Sequence, residues 1–288
     1  MSLSRISIVI VLLIFPLFFA CSAMTNYLDP NKPQYRADYA IGTTDNPDQL
    51  HIISYNIQYG ENISAAIKDL TEIKELKEHD IILLQEMDED GVDQIAKTLN
   101  LNYIYYPASL HSHHQRNFGN AILSRWPMKD HEKVILPHAN PKNRQRRVAV
   151  KARLDINGVD ILAYSIHTET FWLRSWKRFD QIDTLLKDVE QSCRAENCDV
   201  VVAGGDFNTL TPSSVVKIDN KFSRIGFERA TKGAGSSLKT PLIDAILDHI
   251  YIHGTNVTGS GKVTTNSSSD HYPLWVEIEL PKDDKSSK

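Results

Sequence analysis

Cysteine is scarce in this chain, with three among 288 residues and none in a CxxC pair. That spacing leaves no zinc finger or ribbon. GxSxG, GxxxxGK[ST] and HExxH are also missing, which removes the serine-hydrolase elbow, the P-loop and the zincin helix. Positive charge is not in excess: 32 Lys and Arg face 36 Asp and Glu, for a net charge of −4. A protein that coats nucleic acid non-specifically has the opposite balance. A local basic patch in an enzyme that cuts nucleic acid remains compatible with it. No apolar run reaches the roughly 20 residues that span a bilayer comfortably. The longest, Ile6 to Ala20, is interrupted in character by Pro16.

That run follows Arg5 and reads as a signal peptide over residues 1–23. Its end, Leu17-Phe18-Phe19-Ala20-Cys21-Ser22, resembles a bacterial lipobox with Cys21 as the lipidated residue. A plain secretory signal cut near Ala23 is the simpler alternative, and an uncleaved anchor is a third. Each places the folded part outside the cytoplasm: periplasmic, membrane-anchored or secreted. In such a compartment Cys193 and Cys198, five apart at the end of an expected helix, can close a small loop; two free thiols are the alternative. Residues 24–49 are polar and rich in Pro, Asn and Asp, as a tether would be. Residues 50–280 form one expected domain, and 281–288 a disordered tail.

Within the domain the hydrophobic pattern alternates between two periods. LHIISYNI, DIILLQEMD, FGNAILSRWP, VAVKARLDI, VDILAYSIHTE, VVVAGGDFN, IDAILDHIYI and HYPLWVEIEL read as strands. Asn157-Gly158 is a hairpin turn between the fourth and fifth of these. Helical spacing appears in Ser64 to Lys77, with Ser64 as cap, in Val92 to Leu99 and in Trp176 to Gln191. The stretch from Asn208 to about Pro241 reads as irregular. Strands dominate, some alternating with helices and others joined by hairpins. The expected fold class is α/β, two stacked sheets with helices outside.

Several strands end in groups able to do chemistry: Asn56, Gln85 and Glu86, His167, Asp206 and Asn208, Asp248, and Asp270 with His271. Such a set suggests strand ends converging on one cleft. Hard oxygen ligands such as Glu86 and Asp270 suit Mg2+. Histidines beside carboxylates serve as acid, base or charge stabiliser. Together these are the parts for attack of water on a phosphate ester.

SYNIQ, LLQEMD, SIHTE, GGDFN, ILDHIYI and SSDHYPL, in that order, resemble the endonuclease/exonuclease/phosphatase superfamily, the deoxyribonuclease-I-like phosphoesterases. The resemblance covers Leu50 to Leu280. It implies a four-layer α/β/β/α sandwich, two mixed β-sheets flanked by helices, with the site at one edge of the sheets. It also implies Mg2+, with Mn2+ able to substitute. Glu86 then corresponds to the principal metal ligand, with Asn56 and Asp270 beside it. Asp206 corresponds to the residue that orients or deprotonates water, and Asn208 to the one that holds Asp206 and contacts phosphate. His271, supported by Asp248, would stabilise the transition state or protonate the leaving oxygen. His167 would be a second histidine near the phosphate.

Around this set the residues themselves leave readings open. Arg116 and Asn120 flank FGNAIL and are candidates for substrate contact. Arg146 and Arg147 end the basic cluster KNRQRR, whose ordinary role is a solvated face but which precedes a strand at the site edge. HSHH, His111 to His114, fits no zinc spacing and is expected to be a solvated loop. Phe171, Trp172 and Trp176 are expected to pack rather than to form a base-stacking platform; the alternative is an exposed loop beside the site that suits a ring or an acyl chain. The expected function is metal-dependent hydrolysis of a phosphodiester, in nucleic acid or a phospholipid, by a monomer. A phosphomonoesterase acting on inositol phosphates or other small phosphates is the first alternative. A catalytically idle surface-binding lipoprotein is the second. His167 stands where abasic-site endonucleases of the family carry a tyrosine motif, which argues against DNA repair.

Overall fold

The computed structural model describes residues 24–41, 47–111, 114–240 and 244–281. The signal peptide, the Cys21 lipobox and residues 282–288 lie outside them. The strands in chain order are β1 (Thr25–Asn26), β2 (Tyr35–Ala37), β3 (Gln49–Asn56), β4 (Ile81–Met87), β5 (Asn102–Leu110), β6 (Asn117–Ser124) and β7 (Met128–Ile135). They continue with β8 (Val148–Ile156), β9 (Val159–His167), β10 (Val200–Asp206), β11 (Glu228–Arg229), β12 (Asp248–His253), β13 (Val257–Lys262) and β14 (Leu274–Glu279). The helices are α1 (Ile63–Glu72), α2 (Lys74–Lys77), α3 (Glu89–Leu99), α4 (Ser175–Ala195) and α5 (Pro212–Ser223).

Two sheets form. One runs β1-β5-β6-β4-β3-β14-β13, with β2 also on β5; the other runs β11-β12-β10-β9-β8-β7. Each is mixed because each holds one parallel pair, β3 with β4 and β9 with β10. A parallel pair needs a crossover, and α1–α2 and α4 supply it. Strand alternation then builds the layers. Leu50, Ile52, Leu83, Val200 and Val202 enter the core between the sheets. Ile53, Tyr55, Ile82 and Leu84 point outward and meet Leu70, Val92 and Ile95 of the helices. Val201 and Ala203 do the same against Ile182, Leu185 and Ile218 on the other face. The result is the α/β/β/α sandwich.

Asn157 (φ 58°) and Gly158 (φ 83°) make the expected turn between β8 and β9. Cys193 and Cys198 are joined in a disulfide at the end of α4. Other expectations are corrected. The segment read as a tether is tied to the domain: β1 and β2 both pair with β5, and Tyr39 Oη donates to Asp93 at 2.7 Å. Its tyrosines supply the apolar surface that its polar composition masked, since Tyr35, Ala37 and Tyr39 pack on the core under α3. The first helix starts earlier than Ser64, capped by Asn62, whose side chain accepts from Ala65 N. It also breaks at Ile73, where ψ is 126°. Part of the stretch read as irregular is α5, capped by Thr211 with Pro212 just inside its start.

Candidate active site

The two parallel pairs bring four strand ends together. Asn56 sits opposite Gln85 in one sheet; Asp206 sits opposite His167 and Asp248 in the other. The backbone is shaped for this. Against β6, β4 shifts register between Leu84 and Met87, and Glu86 takes φ 60°. Such a bulge re-aims a side chain at a sheet edge. The glycines before Asp206 are needed for closeness. A Cβ on Gly205 (φ +149°) would lie 1.9 Å from the Ile166 carbonyl oxygen of the neighbouring strand. One on Gly204 would lie 2.7 Å from Leu83 Cδ1 across the sheet interface.

Asp206 is the hub. Its Oδ2 accepts from Asn56 Nδ2 at 3.1 Å, and its Oδ1 accepts from the backbone N–H of Asn208 at 2.8 Å. His167 Nε2 lies 3.5 Å and His271 Nε2 4.0 Å from Oδ2. Burial, and then the charge of Asp248, raise its pKa to about 7, against the lowering influence of His271. Phe207 turns away into the core beside Phe222 and Tyr251. Asn208 has left the strand (φ 50°), so its backbone holds Asp206 while its Nδ2 donates to Thr168 O at 3.0 Å.

The two histidines differ in charge: one is a cation and the other neutral. His271 Nδ1 donates to Asp248 Oδ2 at 2.8 Å. Burial works against its charge, but Asp248, the hydrogen bond and Asp206 outweigh it and raise the pKa to about 10. His271 is therefore a cation at neutral pH. His167 is buried, and burial, Arg147 and His271 all hold it neutral. The Arg147 guanidinium, 3.4 Å from His167 Nδ1, can only donate. The ring proton of His167 then sits on Nε2, which is buried with no hydrogen-bond partner and faces Glu86 Oε1 at 3.7 Å. An unsatisfied buried donor aimed into a cleft suits an anionic ligand.

Glu86 Oε2 accepts from Tyr59 N at 3.1 Å. Burial raises its pKa; Arg147, His271 and the Asn56 amide oppose that, and Asp270 adds to it. Asp270 lies at the exposed rim, its N–H donating to Gln58 Oε1 at 3.1 Å. One group of potential ligand atoms joins Glu86, His167 and Asp206, and a second joins Asp206, Asp248 and His271. The second is a poor cation site because His271 is itself a cation bound to Asp248. In the first, His167 presents a proton. The donors left in it are the carboxylates of Glu86 and Asp206, hard oxygens of the kind a small divalent ion takes; Asp270, expected beside Glu86, lies outside both groups.

Arg147 is buried, facing Glu169 Oε1 at 3.5 Å as well as His167. Arg146 stays half-exposed. Arg116 is paired with Asp88 at 2.6 Å and reaches Tyr59 O, so it braces the loop that carries the Tyr59 N–H. Asn120, expected at the substrate, is buried between the sheets; its Nδ2 donates to Val148 O at 3.0 Å and Ser165 O at 3.1 Å. Gln85 works alongside, donating to Ser165 Oγ. His111 and His114 of HSHH pack their rings on Tyr59. Sequence reasoning passed over Glu169, fully buried as the counter-ion of Arg147, and Ser269, whose hydroxyl donates to Asn56 O and accepts from His271 N. Glu169 ends the SIHTE motif, so its signal was in view; nothing local distinguished Ser269 from its serine neighbours.

The profile of the Endonuclease/Exonuclease/phosphatase family matches residues 53–271. The chain belongs to this family. Its members hydrolyse phosphate esters. Solved structures share the fold. An endonuclease/exonuclease/phosphatase family protein from Leptotrichia buccalis C-1013-b superposes with a TM-score of 0.62 at 20% identity, covering 80% of this chain and 100% of that one. A humanised Danio rerio TDP2 gives 0.62 at 16%, covering 81% and 100%. A mannosyl-6-phosphatase from Bacteroides thetaiotaomicron VPI-5482 gives 0.60 at 15%, covering 80% and 100%. No curated protein matches the chain.

Proposed function

We propose that this family member hydrolyses a phosphodiester outside the cytoplasm by in-line attack of water, with Mg2+ as cofactor. The observation that carries the reading is the hub at Asp206: a buried carboxylate oriented by Asn56 and the Asn208 backbone, with two histidine Nε2 atoms facing the same oxygen. Asp206 orients the water and takes its proton as the new P–O bond forms. His167, through its unpartnered Nε2–H, and His271, as a cation, bind the phosphate oxygens where negative charge builds. As the old P–O bond breaks, the leaving oxygen takes up a proton from His271 or from solvent. Asp248 keeps His271 charged and aimed. A divalent ion held by Glu86 with Asn56 and Asp270 would supply further charge neutralisation.

Arg147 favours a second reading, a phosphomonoesterase. Its buried guanidinium beside His167 suits the extra charge of a terminal phosphate, and the mannosyl-6-phosphatase relative acts on such a group. An idle binding protein has no reason to bury this many acids, which is costly without a partner. The Cys193–Cys198 disulfide supports export into an oxidising compartment.

Side-by-side assays of bis-p-nitrophenyl phosphate and p-nitrophenyl phosphate test this, with Mg2+ and with EDTA. Diester cleavage that EDTA removes and Mg2+ restores is expected. Asp206→Ala should lower it by at least about a hundredfold with an unchanged circular dichroism spectrum. Activity indifferent to both treatments would refute the mechanism.

A further inference from the structure

Phe171, Trp172 and Trp176 are 56%, 47% and 52% exposed. They are exposed aromatics and not core: Phe171 and Trp172 follow Glu169 and Thr170 directly, and Trp176 lies in the first turn of α4. Cations surround them. Lys142 Nζ lies 2.9 Å from the centre of the Trp172 ring, and Lys177 Nζ lies 5.4 Å from that of Trp176. Arg144 and Arg174 are exposed nearby in the chain. The acids at hand are occupied: Glu169 is buried against Arg147, and Asp180 is paired with His138. A basic aromatic face thus stands on a chain of net charge −4.

A second observation says what covers it. Met24 N donates to Asn143 O at 3.4 Å, Asn26 Nδ2 donates to Arg144 O at 2.9 Å, and Arg146 N donates to Asn26 Oδ1 at 2.8 Å. The start of the described chain is therefore pinned to the loop that carries Lys142. Cys21, Ser22 and Ala23 alone separate Met24 from the apolar run ending at Ala20. Three residues reach about 10 Å. A lipid on Cys21, or an uncleaved apolar run, would therefore tether a membrane within that reach of the loop.

We propose that Phe171, Trp172, Trp176 and the cations Lys142, Arg144, Arg174 and Lys177 dock on an anionic phospholipid bilayer, so that the site takes its phosphate ester from the membrane. Aromatic side chains settle at the headgroup level and basic ones meet lipid phosphates. Single-stranded nucleic acid is the lesser fit. Base stacking needs open ring faces, and Trp172 already carries Lys142 and packs against Phe171 at 4.6 Å. The membrane-presented substrate rests on the phosphoesterase reading; the docking face does not.

A protein begun at Met24 keeps all three cores, which lie within the described residues. Its sedimentation with vesicles of phosphatidylcholine, alone or mixed equally with phosphatidylglycerol, is the test. Binding to the anionic vesicles, with a blue shift of tryptophan emission and loss in high salt, is expected. Replacing Phe171, Trp172 and Trp176 together by serine should weaken it by about tenfold or more while soluble-diester hydrolysis is unchanged. No binding to anionic vesicles, or equal binding by the triple variant, would overturn the docking face. Capture of a single-stranded oligonucleotide in place of vesicles would also overturn it and assign the face to nucleic acid. Vesicle binding without any diester hydrolysis would support the docking face and defeat the phosphoesterase reading instead.

Discussion

His271 owes its charge to Asp248, and that dependence can be read out. The carboxylate holds the imidazole pKa up at about 10. Asp248→Asn keeps an acceptor near Nδ1 but removes the charge. The pKa then falls toward the ordinary imidazole value, near 6.5. Diester hydrolysis by the variant should therefore drop as pH rises through that range, by about 10²-fold or more above it. The wild-type enzyme should show no such loss until far more alkaline pH. Parallel pH–rate profiles of the two proteins that stay superimposable in shape would show that Asp248 does not act through charge.

The elements have their own points of failure. Strands β9 and β10 approach so closely that Gly205 admits no side chain, and its φ of +149° is one that other residues rarely adopt. Gly205→Ala should cost at least about 1 kcal/mol and lower the melting temperature. Because Asp206 follows directly, it should lower activity too. Between the sheets, Asn120 ties β6 to the Val148 and Ser165 carbonyls. Asn120→Ala should destabilise by about 1–3 kcal/mol, the range for deserted buried partners, as measured by urea unfolding. Retention of full stability in either variant would mean that the strands can relax where the structure holds them tight.

The whole molecule responds to acid with competing signs. His249 is buried, donating or accepting at Thr209 Oγ1 at 2.7 Å, and burial followed by Arg229 pushes its pKa well down. Neutral in the fold but titrating near 6.5 when unfolded, it contributes stability that is full above that pH and lost as pH falls below it. Asp206, with a raised pKa, acts in the opposite direction over the same range. A difference measurement separates them: the stability advantage of wild type over His249→Asn should shrink as pH falls from 7.5 to 5.5 in a denaturant series, by up to about 1.4 kcal/mol per pH unit below the unfolded pKa. A constant gap would indicate that His249 stays accessible to protons in the fold.

Much of this protein is written in local pattern. Short apolar and β-branched runs specify β3, β4, β8, β9 and β10, Asn157-Gly158 specifies a turn, and the polar residues that end those runs, Asn56, Glu86, His167 and Asp206, mark the site. These are legible because a buried strand has no ordinary use for a terminal carboxylate, amide or imidazole. Composition was a weaker guide where a few tyrosines outweigh many polar neighbours, as in the segment that holds β1 and β2. Charge state, tautomer and division of labour lie beyond any local signal. That His271 is a cation follows from Asp248, and that His167 is neutral follows from its burial and then from Arg147, none of which a local stretch of sequence shows. That Asn120 braces rather than binds follows from which carbonyls the second sheet presents to it. The sequence determined the strands, their chemistry-bearing ends and the family. Tertiary structure alone decided which side chain faces which, because burial and electrostatic neighbours exist only once the two sheets are stacked.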